Sequence, residues 1–141
     1  RVKSKLIREI PYDHIKENME IALKELIRDE KIDSVFFLNN KLTIAGLDVL
    51  KRLNMRIPYD ISIASFDDID LFRFSFPPVT SVSQPKEEIG RVAFEVLLNQ
   101  INDRETELQQ IVLPVKLNIR ESCGSTMKRI FTHVANDLLK C

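Results

Sequence analysis

Two adjacent carboxylates, Asp67 and Asp68, end an apolar run that starts at Ile61 and carries Ile63 and Phe66 among small residues. Such a run has the pattern of a strand buried on both faces. In an open parallel sheet, ligands sit in the crevice beyond the carboxyl ends of the strands, so a strand that ends in acids is a candidate site. A second apolar run, Ser34 to Leu38, ends in Asn39 and Asn40. The acids have another reading as caps of a short following helix, whose N-terminus favours negative charge. Catalysis is not expected, because a metal- or phosphate-handling enzyme on such a sheet wants another acid where the asparagines stand. There is no Ser-His-Asp order, no glycine-rich phosphate loop and no HExxH, and no convergent set of titratable groups. His14 and His133 are isolated, and Cys123 and Cys141 lie 18 residues apart, so no metal site and no cofactor is expected.

The elements that must position these residues alternate. Val2 to Ile7 reads as a short strand. Pro11 and Asp13 then start a helix with Ile15, Met19, Ala22, Leu23, Leu26 and Ile27 on one stripe. Ser34 to Leu38 is a strand, about Leu42 to Leu53 a helix, and Asn54 suits the left-handed position that terminates it. The Ile61 strand follows. The order βαβαβ with short connections predicts an α/β fold, a parallel sheet flanked by helices. Beyond it, Leu71, Phe72, Phe74 and Phe76 crowd a segment closed by Pro77-Pro78, aromatic surface that needs a cover from the core or from a partner. A helix from Pro85 carries Ile89, Val92, Val96 and Ile101, and Gln109 to Leu117 alternates as a half-buried strand. After Gly124-Ser125, the apolar residues Met127, Phe131, Val134 and Leu138 step by four and three, as a last helix would.

The 141 residues suffice for one domain with a single core. With 21 basic and 21 acidic residues the net charge is zero, which leaves no electrostatic footprint for nucleic acid in this chain. No window approaches the roughly 20 apolar residues of a membrane helix, and the start lacks a signal peptide's apolar core. The cysteines read as reduced thiols, so a cytoplasmic protein is expected. Arg1, Lys3, Lys5 and Arg8 read as a solvated strand edge. Because the chain starts at Arg1 and not at Met, we expect a part of a longer protein.

Three segments carry a family resemblance: NNKLTIAGLDVLKRLNMRIPYDISIASFDDID, PPVTSVSQPKEEIGRVAFEVLL and the later IRES. From about Asp33 to Ser122 the chain resembles the C-terminal part of LacI/GalR-family transcriptional regulators. The resemblance implies a domain like a type I periplasmic binding protein, two α/β lobes closing on a sugar or small metabolite. It implies operator DNA as a partner, through an N-terminal helix-turn-helix that is not in this chain. Residues 1–122 would be the C-terminal portion of the effector-binding and dimerisation domain, and residues 123–141 a helical tail beyond the family's usual end. Residues 85–117 would pack with the N-terminal lobe, with the chain crossing near Ser83-Gln84 and Asn118–Arg120. A periplasmic solute-binding protein of the same fold is the alternative.

Residue by residue, the resemblance implies that Asp67 accepts hydrogen bonds from effector hydroxyl or amino groups, and that Asp68 caps the next helix. A carboxylate suits the first task because charge-assisted hydrogen bonds are roughly twice as strong as neutral ones. Asn39 and Asn40 stand at the family's Asn-Asp pair, with Asn40 in place of the acid. Phe66 stands where an aromatic is usual and would pack under or stack on a sugar face. Ala45, Asn54 and Ser65 replace common glycines. A homodimer is implied, and we expect Ile44, Leu47, Leu71, Phe72 and Phe74 to form its face.

Overall fold

The computed structural model describes residues 3–102 and 109–125. Helix α1, Ile15–Asp29, buries Met19, Ala22, Leu23 and Leu26, the single stripe read from the spacing. Strand β1, Ser34–Phe37, then leads into helix α2, Asn40–Arg52. Asn54 follows α2 at φ 55°, the left-handed conformation expected of it. The loop into strand β2, Ser62–Phe66, is bracketed by one ion pair. The Asp60 carboxylate accepts from the Arg56 backbone N–H and Nε at 2.8 Å, and from its Nη2 at 2.7 Å. These bonds hold Asp60 at about 2, well below the usual aspartate value.

The remaining elements are helix α3 (Leu71–Phe74), strand β3 (Thr80–Ser83), helix α4 (Lys86–Asn102) and strand β4 (Lys116–Asn118). The sheet order is β1-β2-β3-β4. The first three strands are parallel, as expected, but β4 runs antiparallel beside β3, so the sheet is mixed. Only the last part of the strand expected over Gln109 to Leu117 joins the ladder. The strand expected at Val2 to Ile7 is instead a 3-10 turn over Ser4–Leu6. The expected tail helix, with His133 and Cys141, falls outside the described residues.

Alternation along the strands gives the sheet two unlike faces. Phe37, Ile63 and Ser65 point toward α1 and α2, where the core gathers Met19, Leu23, Phe37, Ala45, Val49, Leu50, Ile61, Ile63, Phe72 and Val79. Phe72 was expected on a dimer face, and this is corrected: it is fully buried. The single turn of α3 explains it. One turn sends Phe72 inward, with its backbone carbonyl accepting from Val79 N–H at 2.9 Å, while Leu71 and Phe74 point out. By contrast α4 buries no residue at all. Its Phe94, Leu97 and Ile101 are exposed, and a hollow of about 590 Å³ opens between it and residues 109–115.

Gly46 sets how closely α2 lies on β1. A methyl group built there would come within 2.2 Å of Phe37 Cζ, inside a packed core. Gly46→Ala should therefore lower stability by about 1–3 kcal/mol despite alanine's better helix propensity, as overpacked cores do. A urea melt of the variant against the parent measures it, and an unchanged midpoint would contradict this packing.

Candidate functional site

The ends of β1, β2 and β3 come together at one edge of the sheet, and each contributes a polar residue. At the end of β1, Asn39 is the N-cap of α2. Its Oδ1 accepts from Leu42 N–H at 2.9 Å, which meets one of the orphan donors of the first turn. Its Nδ2 donates to the Tyr12 hydroxyl at 2.9 Å, and Lys41 stands 5.4 Å from the centroid of the same ring. Asn40 opens α2 and is half-buried. Below them, the buried hydroxyls of Thr43 and Ser65 lie 2.6 Å apart and tie α2 to the end of β2.

At the end of β2 the two acids part company. Asp67 takes a left-handed backbone at φ 72°, uncommon for a residue with a side chain, and its Oδ1 accepts from Gln84 Nε2 at 2.6 Å. Asp68 was expected to cap α3, and this is corrected: the residue before α3 is Asp70, which makes no side-chain cap bond. Asp68 binds Arg120 instead, in a two-pronged pair with both contacts at 2.9 Å. Ser81 Oγ donates to Asp68 Oδ1 at 2.8 Å and Asn118 Nδ2 to Oδ2 at 3.0 Å. Arg120 also donates to the Val79 carbonyl at 2.6 Å. The side chains are only 9% and 14% exposed, so the pair is shielded from water. The Arg120 guanidinium beside it holds the Asp68 carboxyl below the ordinary aspartate value, with Ser81 adding to the effect.

Ser122 completes the joint. It is fully buried, its Oγ accepts from Thr80 N–H and donates to the Ile63 carbonyl, both at 2.8 Å. The structure thus brings Asn39, Asn40, Asp67 and Asp68 to the strand ends. Phe66 is half-buried and points to the face away from the core, in register with Val82. Of the expected dimer residues, Ile44, Leu71 and Phe74 are exposed and Leu47 packs partly against the core. Tyr12, Gln84, Ser81, Asn118 and Arg120 were not singled out as site residues. The only sequence signal for them was that Gln84 and Asn118–Arg120 stand where the resemblance has the chain cross between lobes, since their partners lie 13 to 52 residues away.

Among the described residues no three His, Cys, Asp or Glu side chains are grouped to hold a metal ion, and no described helix is long and apolar enough to cross a membrane. Residues 5–123 match the model of the periplasmic binding protein-like domain. The chain is 35% identical over 97 residues to the HTH-type transcriptional repressor PurR of Vibrio vulnificus, covering 69% of this chain and 28% of that protein. It is 35% identical over 102 residues to the HTH-type transcriptional regulator CelR of Thermobifida fusca, covering 72% and 30%. Among solved structures, a CelR–cellobiose complex is 33% identical with a TM-score of 0.67, over 76% of this chain and 33% of that one. A LacI family regulator from Enterococcus faecium with bound ribose is 32% identical with a TM-score of 0.65, over 76% and 39%. The chain thus spans about a third of the length of these relatives.

Removing either partner of the Asp68–Arg120 pair leaves a shielded charge without its counter-ion. Arg120→Ala should cost about 3 kcal/mol, the lower end for a buried pair. The sign of the pH effect follows from the lowered Asp68 value. Its stabilisation is whole above the ordinary value of 3.8 and is lost as pH falls through the folded value beneath it. Asp68→Asn should therefore melt lower than the parent at neutral pH, with a gap that narrows in acid. A constant gap from pH 7 downward would sink the assignment.

Proposed function

The chain belongs to the family of periplasmic binding protein-like domains, and from that membership we propose that it is the effector-sensing and dimerisation portion of a bacterial transcriptional regulator. The observation that carries this reading is the pairing of a crevice acid with an unburied helix. Asp67 sits at the strand ends beside the point where the chain leaves for α4, and α4 buries nothing against the sheet. A helix with Phe94, Leu97 and Ile101 in water has its packing surface elsewhere, in a second lobe. Residues 85–117 then belong to that lobe, and Asp67 faces the cleft between the two. Asn39, Asn40 and Phe66 share that cleft, and Tyr12 adds an aromatic ring to its wall.

The effector is a sugar or small metabolite, which the cellobiose- and ribose-bound relatives support. Operator DNA is bound through a helix-turn-helix outside this chain, in line with the relatives' names and with the chain's zero net charge. The zero charge leaves DNA contact to another part of the protein. The relatives' names as transcriptional regulators support a cytoplasmic protein with no catalytic role.

One lobe leaves a face of the effector in water, whereas small-ligand sites usually bury ~70–90% of the ligand. Calorimetry of ribose or cellobiose against this chain should therefore detect no micromolar binding. In a regulator of full family length, Asp67→Ala should weaken the effector response about tenfold or more, or at least ~1.4 kcal/mol, while operator binding without effector is kept. Equal loss of both would refute the role given to Asp67.

The dimer face is Ile44, Leu47, Leu71 and Phe74 on α2 and α3, of which Ile44, Leu71 and Phe74 are exposed, and a two-fold contact would cover it on both copies. Sedimentation should show Phe74→Asp as a folded monomer and the parent as a dimer. Phe72→Ala should instead lower stability by about 3–5 kcal/mol, as large-to-small core changes do. A parent that stays monomeric at high micromolar concentration ends the dimer reading.

A further inference from the structure

We infer that Thr43 and Ser65 are positioning residues for the proposed cleft, and that their hydroxyls tie its Asn39 end to its Asp67 end through one shared hydrogen. The inference deepens the proposed function. Its use in a cleft rests on the reading of Asn39 and Asp67 there, whereas the bonding itself does not. Both side chains are fully buried. Their oxygens lie 2.6 Å apart and link α2 to the end of β2. On one side, Thr43 Oγ1 is 2.8 Å from the Asn39 carbonyl. On the other, Ser65 Oγ is 3.0 Å from the carbonyl of Phe66 and 3.4 Å from that of Asp67. Ser65 stands where the resemblance has glycine, and a glycine there would leave this row without its second hydroxyl.

Counting hydrogens decides what the row can do. A hydroxyl carries one hydrogen and can accept through two lone pairs. From the Asn39 carbonyl to the Phe66 carbonyl the row has three links, and its two hydroxyls bring two hydrogens. Two hydroxyl oxygens 2.6 Å apart need a hydrogen between them, since lone pairs would otherwise face each other at hydrogen-bonding distance. One hydrogen is left for the two carbonyls. Either Thr43 donates to Asn39 and Ser65 to Thr43, or Thr43 donates to Ser65 and Ser65 to the turn. Passing from one arrangement to the other needs only rotation of the two hydroxyls. The Asn39 carbonyl also accepts from Thr43 N–H at 3.0 Å, so it can give up the hydroxyl without being left unmet. Whatever draws the hydrogen to one strand end withdraws it from the other. The α2 cap at Asn39 and the left-handed turn that carries Asp67 at φ 72° are thereby coupled, and such coupling runs equally in both directions.

The test is carbon-13 NMR of the labelled 141-residue chain, read at the carbonyl carbons of Asn39 and Phe66, which move downfield on accepting a hydrogen bond. Thr43→Val and Ser65→Ala each remove one hydroxyl with little change of volume. In Thr43→Val the Ser65 hydrogen has only the turn to go to, so the Phe66 carbon is expected to move downfield although the substitution is on another element. In Ser65→Ala the Thr43 hydrogen goes wholly to Asn39, whose carbon is expected to move downfield. Thr43→Ser keeps the hydroxyl and is expected to leave the Phe66 carbon where the parent has it. Should either variant fail to fold, Thr43→Ala or Ser65→Gly takes its place. A Phe66 carbon that stays or moves upfield when the Thr43 hydroxyl is removed overturns the shared hydrogen, and so does an Asn39 carbon that behaves this way when the Ser65 hydroxyl is removed. Both downfield shifts, with an effector response untouched by Asp67→Ala in a regulator of full family length, would overturn the cleft reading and leave the coupling standing.

Discussion

The joint between Asp68 and Arg120 holds together parts of the chain that are otherwise far apart. Arg120 comes from just past β4, Asp68 from the end of β2, and Ser81 from the strand between them. A guanidinium presents a planar fork of donors that a carboxylate matches with both oxygens, and this pair is shielded, so water does not weaken it much. Without it, β4 would be attached to the sheet by a three-residue ladder at its edge and by the bonds of Ser122 and of the Arg120 backbone just past it. A strand that short adds little on its own.

That joint also separates the two acids by role. One carboxylate is spent on architecture, and its neighbour is left with a neutral partner and a constrained backbone. Strain of this kind persists only where the surrounding structure over-determines it. Here Ser65 lies under the turn, with its hydroxyl bonded to Thr43 and turned toward the carbonyl of Phe66 at 3.0 Å. The small buried residue at position 65 thus supports the conformation of position 67.

Local patterns were legible in the sequence where local physics decides. The α1 stripe, the places of strands β1 and β2 and the left-handed Asn54 follow from spacing and residue type, and the strand-end location of Asp67 follows from an apolar run that stops. Burial of β1 on both faces, as the run suggested, does not hold, since Phe36 is exposed. The resemblance to LacI/GalR regulators was carried by motifs whose physical reasons are now visible. The Asp60 of the IPYDIS motif, for one, clamps Arg56 across the turn. What was not legible depends on distant partners. Nothing near Asp68 tells a cap from an ion pair, because Arg120 follows 52 residues later. Phe72 looks like its neighbours Leu71 and Phe74 in sequence, and only the phase of one helical turn sends it into the core. The antiparallel direction of β4 depends on where α4 and the following loop return the chain, which no spacing within the strand records.

That direction has a mechanical consequence. The polypeptide leaves the sheet at the end of β3 and comes back in along β4, so its way out and its way back are neighbouring straps where Ser83 pairs with Lys116, roughly 4.8 Å apart, one strand spacing. Two straps side by side act like a flat leaf spring. They bend easily about the line that joins them, yet they resist shear and twist, since either would stretch one strap against the other. Bolted at its root by Arg120 and Ser122, such a spring would favour one direction of bending for the α4 unit, and Asp67 sits at that root, bonded to Gln84 where the chain leaves β3.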